Sequence, residues 1–220
     1  MSALHLSAYE GDANLVRGRI ELGQDPNARD EDGRTPLHWA AAGGHQALVE
    51  YLSINHPREF DVKRQAGLPG ALINTQDEDG LSPLASAVAA NKIVVAAFLL
   101  GKGADPKART NSGQAVLHFH KARPEVIRLL LPYLSIADVN AQDKWGNTPL
   151  HRCICGESQA HLDALDLLLE AGGRPNTGDN TGNTPLHRAT EEGLNKLASR
   201  LIEAGAHASR LNKEGEKAAP

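Results

Sequence analysis

DGRTPLHWAAAGGH, residues 32–45, decides the fold, because the tetrapeptide at its centre recurs along the chain. Related tetrapeptides begin at residues 2, 35, 82, 115, 148 and 184, so successive starts lie 33, 47, 33, 33 and 36 residues apart. A catalytic histidine is needed once, whereas a structural histidine recurs with its repeat. We therefore expect structural histidines that hydrogen-bond from a first helix to the neighbouring turn at His5, His38, His118, His151 and His187.

Each repeat is predicted to contain two short antiparallel helices. In the second copy, Thr35 is a typical N-cap residue, and Pro36 suits the first helical position because its missing N–H is harmless there. Gly43 and Gly44 are expected to end this helix before the second one begins. A glycine also closes the turn that follows each helix pair, as in DEDG at residues 30–33. The pattern predicts stacked helix-turn-helix units joined by β-turn fingers.

A 33-residue period with a TPLH tetrapeptide resembles the ankyrin repeat. The resemblance implies an all-α ankyrin-repeat solenoid in which each unit buries its apolar faces against its neighbours. We expect a single domain, residues 1–220. Its repeats are placed at about 1–33, 34–80, 81–113, 114–146, 147–182 and 183–215, with the start of a seventh at 216–220.

Two repeats depart from the regular spacing, a third is rearranged within it, and the end of the array is unusual. About 14 extra residues are placed at 55–71, where a surface loop is expected and a direct binding role is the alternative. The fourth repeat loses about two residues between its helices and gains about two after Leu131, and the fifth gains three near 155–163. The sixth repeat is expected to be open at Leu197, Leu201 and Ile202, which favours a truncated chain.

Composition excludes several classes of function. The formal net charge is -4 at a pI near 6.2, which gives the chain no electrostatic reason to bind nucleic acid or an acidic membrane. The sequence has neither a long apolar run nor a signal peptide, and its two cysteines are too close together for an ordinary disulfide. We therefore expect a cytoplasmic and nuclear protein that is monomeric when free.

Two groups of residues resemble parts of a metal site. His151, Cys153 and Cys155 would support a zinc enzyme, but the sequence offers no second cysteine pair to complete a tetrahedron. Cys153 occupies a small-residue position of the repeat, so buried packing is the preferred interpretation. His118 and His120 lack a clear third ligand. We expect no catalytic residue, no metal and no cofactor.

The remaining candidate function is binding of a protein along the turn tips and first helices. The first two tips are acidic, whereas cationic residues occur further along the chain, and the scarce aromatic residues are candidate anchors. The alternative is an ordinary solvated surface. The candidate partner-binding residues are Asp32, Arg34, Trp39, Asp79, Phe119, Lys121, Trp145, Arg152 and Arg188.

Three phrases point to a narrower family. DEDGRTPLHWA at 30–40, PLHR at 149–152 and NKEGEKAA at 212–219 resemble the gankyrin-type chaperones of proteasome regulatory-particle assembly. The resemblance implies binding to the C-terminal domain of a proteasome ATPase subunit. Arg34 and Lys121 would then face acidic groups of that subunit, and Asp32 and Asp79 would face basic ones. An ankyrin scaffold or inhibitor of another protein, such as a kinase or a transcription factor, stays the alternative.

Overall fold

The computed structural model describes residues 2–53 and 73–219, so the predicted 55–71 insertion lies outside the described residues. The chain forms two compact units, Met1–Asp105 and Pro106–Pro220. The described residues are mostly helical, and their β-structure consists of two isolated antiparallel bridges, Arg109 to Ala115 and Leu211 to Lys217.

The first unit contains three helix pairs. The helices are α1 (Ala3–Glu10), α2 (Ala13–Glu21), α3 (Pro36–Gly43), α4 (Gln46–Ser53), α5 (Pro83–Ala89) and α6 (Ile93–Gly101). The first helices of the pairs pack in succession, α1 against α3 and α3 against α5, and each also packs against the second helix of its own pair.

The second unit repeats this arrangement with less regular helices. Its α-helices are α7 (Pro124–Leu130), α8 (Ile136–Val139), α9 (Pro149–Arg152), α10 (Gln159–Glu170), α11 (Pro185–Glu191) and α12 (Asn195–Glu203), and two 3₁₀-helices span Val116–Phe119 and Leu131–Tyr133. The first helices of its three repeats are the 3₁₀-helix at Val116–Phe119, α9 and α11. The second helices α7, α10 and α12 pack in the same succession.

The recurring tetrapeptide builds the start of each first helix. Thr35 and Ser82 have extended backbones at the N-cap, and the proline that follows each one occupies the first helical turn. The leucine of each tetrapeptide is almost completely buried, which stabilises each repeat by roughly 1.5–3 kcal/mol. Gly44 then ends α3 in the left-handed conformation, as the sequence predicts.

Each turn is held by its own first residue, and successive turns of the same unit also bind one another. Asp143 accepts hydrogen bonds from the backbone N–H groups of Trp145 and Asn147 through Oδ1, and Gly146 closes the turn at a φ of +82°. The next turn docks on this one, because the Asn180 N–H donates to the Trp145 carbonyl over 2.9 Å. The glycine that closes each of the six predicted turns has a positive φ, which confirms the turn pattern.

The fourth repeat has the distorted inter-helix turn that its missing residues predict. Its first helix is the 3₁₀-helix, and Lys121 and Ala122 both have positive φ values in place of a glycine. The segment from Leu131 onwards, which holds the gained residues, contains the second 3₁₀-helix and α8. In the fifth repeat, the longer connection between α9 and α10 is likewise confirmed.

The expectation for the last helix is wrong in part. Leu197 and Leu201 are fully buried, because α12 turns this face towards α10 and α11, and only Ile202 is substantially exposed. Residues after α12 also fold back, so that the buried Ala218 accepts a hydrogen bond from the Thr190 hydroxyl through its carbonyl at 2.7 Å. The apolar side of α12 is therefore mostly covered.

We predict that Gly146→Ala destabilises the second unit more than Gly205→Ala does. Both glycines have φ values above +80°, so each alanine suffers a backbone strain of about 1–2 kcal/mol. A Cβ atom at Gly146 would also lie 2.6 Å from the Asn180 backbone nitrogen, whereas one at Gly205 would meet open space. Urea unfolding of both variants should therefore give a lower midpoint for Gly146→Ala, and equal midpoints would contradict the docking of successive turns.

Candidate functional site

The recurring histidines bridge neighbouring repeats, as the sequence predicts. His38 accepts the Thr35 N–H at Nδ1 over 3.1 Å and donates from Nε2 to the Leu81 carbonyl over 3.0 Å. His118 and His151 make the same pair of bonds, with Nε2 to carbonyl distances of 3.0 Å. His5 and His187 also reach carbonyls in the following turn. These histidines therefore hold the stack together within each unit.

Only the neutral tautomer with a proton on Nε2 fits this site. A carbonyl oxygen can only accept, and a backbone N–H can only donate, so Nδ1 must carry a lone pair. Burial lowers the pKa of His38 and His118, and it lowers the pKa of His151 to about 4. The bridges are thus suited to neither proton transfer nor a shared active centre.

In a second set of contacts, arginine side chains of the second unit form ion pairs with carboxylates of the turns. Arg152 donates to Asp143 Oδ2 over 2.6 Å, and Arg188 donates to Asp179 Oδ2 over 2.9 Å. Each arginine lies nine residues after the first residue of its own turn. Burial opposes ionisation of Asp143 and Asp179, but the arginines and the turn N–H groups hold the pKa of each carboxyl below its usual value.

In the first unit, two different donors bind the carboxylates at the first position of the turns. Trp39, at the position equivalent to Arg152, donates its indole N–H to Asp30 Oδ2 over 2.8 Å. Arg34 instead reaches forward, and its Nε donates to the buried Asp77 Oδ2 over 3.0 Å. The Arg34 guanidinium also lies over the Trp39 ring, with Cζ 5.4 Å from the ring centroid.

The predicted partner-binding residues therefore divide into two classes. Arg34, Trp39, Arg152 and Arg188 are partly buried and bound to turn carboxylates or amides of the same unit. The remaining residues keep accessible surface: Phe119 is partly exposed, and the exposed positions are Asp32, Asp79, Lys121 and Trp145.

The second unit exposes less positive charge than its number of arginine residues suggests. Arg152 and Arg188 are each compensated by a turn carboxylate, whereas Glu191 and Glu192 at the end of α11 are exposed. A surface depression of about 510 Å³ lies between them and Trp145. Lys144 also lies over the Trp145 ring, with Nζ 4.5 Å from its centroid. The cationic character expected of this unit is therefore largely neutralised at these positions.

His120 has a structural role that the sequence analysis missed. It occupies the position of small residues such as Ala40 and Cys153, and it is completely buried. Its Nδ1 accepts the Ala122 N–H over 2.8 Å and its Nε2 donates to the Pro149 carbonyl over 2.9 Å. Burial lowers the pKa of His120 to about 4. The signal was present in the sequence, since this second histidine appears only in the shortened repeat.

The cysteines show no arrangement for metal binding. Cys153 is fully buried and Cys155 is exposed, and burial raises the pKa of the Cys153 thiol. The prediction that Cys153 serves packing is confirmed. Within residues 2–53 and 73–219, no three His, Cys, Asp or Glu side chains are grouped so that they could hold a metal ion. None of the helices in these ranges is long and apolar enough to cross a membrane.

Comparison with known proteins agrees with the repeat architecture. The family described as "Ankyrin repeats (3 copies)" matches residues 4–110 and 114–212. The chain is 30% identical to rabankyrin-5 of Homo sapiens over 176 residues, which cover 79% of this chain and 14% of that protein. It is also 30% identical to potassium channel SKOR of Arabidopsis thaliana over 171 residues, 70% of this chain and 21% of that protein. The match thus spans a small part of each relative.

Solved structures show the same fold. The ankyrin repeat domain of Bcl-3, described as a member of the IkappaB protein family, matches with a TM-score of 0.75 and 25% identity, covering 99% of this chain and 92% of that one. The human ASB11 ankyrin repeat domain matches with a TM-score of 0.77 and 24% identity, covering 99% and 90%. The predicted all-α ankyrin-repeat fold is confirmed.

We predict that acid weakens the fold through the buried histidines. The unfolded chain binds protons near pH 6.5, whereas folded His120 and His151 bind them only near pH 4, so stability is lost as the pH falls through this window. The loss approaches about 3 kcal/mol for each histidine, since one pKa unit corresponds to about 1.4 kcal/mol. Urea unfolding at several pH values between 7.5 and about 4.5 should show this loss. In a His151→Gln variant, the free energy of unfolding should fall less steeply as the pH decreases. The same pH dependence in both proteins would contradict the assigned tautomer.

We also predict that Arg152→Met destabilises the second unit by about 2 kcal/mol, because it leaves the buried Asp143 carboxylate without its cation. The double variant Asp143→Asn with Arg152→Met should recover most of this loss. Asn212 already performs this turn function, since its Oδ1 accepts the N–H groups of Glu214 and Glu216. Thermal unfolding of the single and double variants measures the coupling energy between residues 143 and 152. Additive effects of the two substitutions would show that the pair is not coupled.

Proposed function

Since the chain belongs to the ankyrin-repeat family, we propose that it is a non-catalytic chaperone that binds the C-terminal domain of a proteasome regulatory-particle ATPase subunit. Ankyrin-repeat domains are protein-interaction folds and are generally non-catalytic. The partner assignment is supported by DEDGRTPLHWA, PLHR and NKEGEKAA, which resemble gankyrin-type chaperones. In this role the chain is a cytoplasmic and nuclear protein that holds one ATPase subunit during assembly.

The accessible acidic turn tips of the first unit carry this proposal. Asp32 is 67% exposed, and Asp79 is exposed on the following turn. The two tips adjoin, because the Glu78 N–H donates to the Asp32 carbonyl over 2.9 Å. Carboxylates fixed on rigid turns suit basic groups of a folded partner, and they fix its register more than its affinity.

Fewer cationic residues are available to bind acidic groups of the ATPase than the resemblance implies. Arg34 already has a carboxylate partner in Asp77, so binding an acidic group would compete with a contact inside the unit. Lys121 is exposed at the rebuilt turn of the fourth repeat and has no such partner among the described residues. In this proposal Lys121 faces acidic groups of the ATPase, whereas Arg34 positions Asp77 and Trp39.

A scaffold or inhibitor for another protein is the second candidate. Segments 30% identical to this chain occur in rabankyrin-5, in potassium channel SKOR and in the E3 ubiquitin-protein ligase KEG of Arabidopsis thaliana. The repeats therefore occur in proteins of different kinds. A kinase or a transcription factor is a possible partner under this alternative, and the same binding experiment separates the two candidates.

We predict that the tagged full chain retains one proteasome ATPase subunit from a cell extract and binds its purified C-terminal domain directly. Asp32→Lys with Asp79→Lys should weaken that binding at least about tenfold, equivalent to 1.4 kcal/mol, with little change in melting temperature. Glu21→Lys with Glu50→Lys, at exposed positions of α2 and α4, is the control that makes the same charge change away from the turn tips. Retention of other proteins without any ATPase subunit would overturn the chaperone assignment and favour the scaffold.

A further inference from the structure

Two neighbouring first helices of the first unit expose apolar side chains. Leu6 and Tyr9 on α1 are 43% and 48% exposed, although both are large and hydrophobic. The Tyr9 ring meets the Trp39 ring of α3 edge to face, at a centroid distance of 5.7 Å and an interplanar angle of 87°. Leu6, Tyr9 and Trp39 are called the α1–α3 aromatic cluster below.

The cluster is held in place before any partner arrives. The Trp39 indole N–H is bound to Asp30, and the Arg34 guanidinium covers the Trp39 ring while its Nε binds Asp77. His45 Nε2 donates to the Tyr9 carbonyl over 2.7 Å, which fixes the end of α1. Rigid aromatic rings lose little conformational entropy on binding, and tyrosine and tryptophan are frequent anchors of protein interfaces.

The turn tips beside the cluster are acidic. Residues 29–34 and 76–81 contain two arginines among six aspartate and glutamate residues. Arg34 is paired with Asp77 and lies 3.9 Å from Asp32 Oδ2, and Arg29 NH1 donates to the Gly33 and Gln76 carbonyls. Asp32 and Asp79 remain on the accessible side of the turns. Negative charge therefore borders an apolar, pre-formed surface.

We propose that the α1–α3 aromatic cluster binds a basic segment of a partner protein, with one apolar side chain on Leu6 and Tyr9 and flanking lysine or arginine side chains at Asp32 and Asp79. This inference rests on the proposed protein-binding role and gives the chemistry of the partner. A cation beside Tyr9 is also stabilised by the ring face. An acidic segment would face like charges at the same tips, which is unfavourable.

A random-peptide display selection on the purified full chain tests the proposal without assuming a partner. Bound peptides are kept only if they fail to bind a Tyr9→Ala variant. We expect the retained peptides to be enriched in lysine and arginine around one apolar residue. Retained peptides of acidic or neutral composition, or no peptide that distinguishes the variant, would overturn the proposal.

One selected peptide is then measured against defined variants by fluorescence. The chain has two tryptophans, so Trp145→Phe leaves Trp39 as the sole emitter. Peptide binding should change the Trp39 emission and weaken as salt rises. Leu6→Ala and Tyr9→Ala should each weaken binding about tenfold, whereas Val94→Ala, which truncates a side chain that is 65% exposed on α6, should leave it unchanged.

Charge is tested separately from folding. Asp32→Asn with Asp79→Asn neutralises two exposed carboxylates of the acidic border and leaves its buried residues in place, so it should weaken binding and flatten its salt dependence while the melting temperature changes little. Unchanged affinity in this variant would overturn the basic character of the partner. Because no ATPase subunit is present, these outcomes are independent of the pull-down: basic peptides could bind a chain that retains no ATPase, and an acidic preference would leave the scaffold role standing.

Discussion

The structure depends on an imidazole that connects two backbones. In His38, His118 and His151, one ring nitrogen accepts the N–H at the start of its own helix, and the other donates to a carbonyl of the next turn. The N–H would otherwise be buried without a partner, which is costly. The carbonyl already accepts the N–H of the first residue of its own turn, as Leu81 does from Asp77, so the imidazole adds a second bond to it. The same ring therefore completes one helix start and attaches the following repeat, and its Nε2–H gains its partner only when that repeat is in place.

A second consequence concerns the surface. Each turn needs an oxygen acceptor at its first position, and in several repeats this is a carboxylate that must be compensated in a partly buried place. Arg152, Arg188 and Trp39 supply that compensation from the first helix, nine residues later. Arginine side chains are thereby bound to carboxylates inside each unit, while other carboxylates at the turn tips remain accessible. The binding properties of the surface follow from the requirements of the turns beneath it.

Much of the fold could be predicted from the sequence because its signals are local. The capping residue, proline, histidine and closing glycine all act within a few residues, so their spacing predicts the helix pairs and turns. The pairing of Arg34 with Asp77 could not be predicted, because 43 residues separate them and their approach depends on how repeats stack. The Asp143 and Arg152 pair was more accessible, since the same nine-residue spacing recurs in Asp179 and Arg188. The role of His120 was missed because the sequence does not show that its ring binds the Ala122 N–H and the Pro149 carbonyl, which lies 29 residues away.

The histidine bridge has the same geometry whatever the number of residues between the two groups that it joins. The His38 bond to Leu81 spans 43 residues and the His118 bond to Asn147 spans 29, yet both have the same length of 3.0 Å. The two ends of the bridge lie at the tetrapeptide and just before the next one, so about 14 residues can be added between them without changing how the repeats connect. An array built in this way can acquire new segments one repeat at a time, and its descendants can differ in their loops while retaining an identical core.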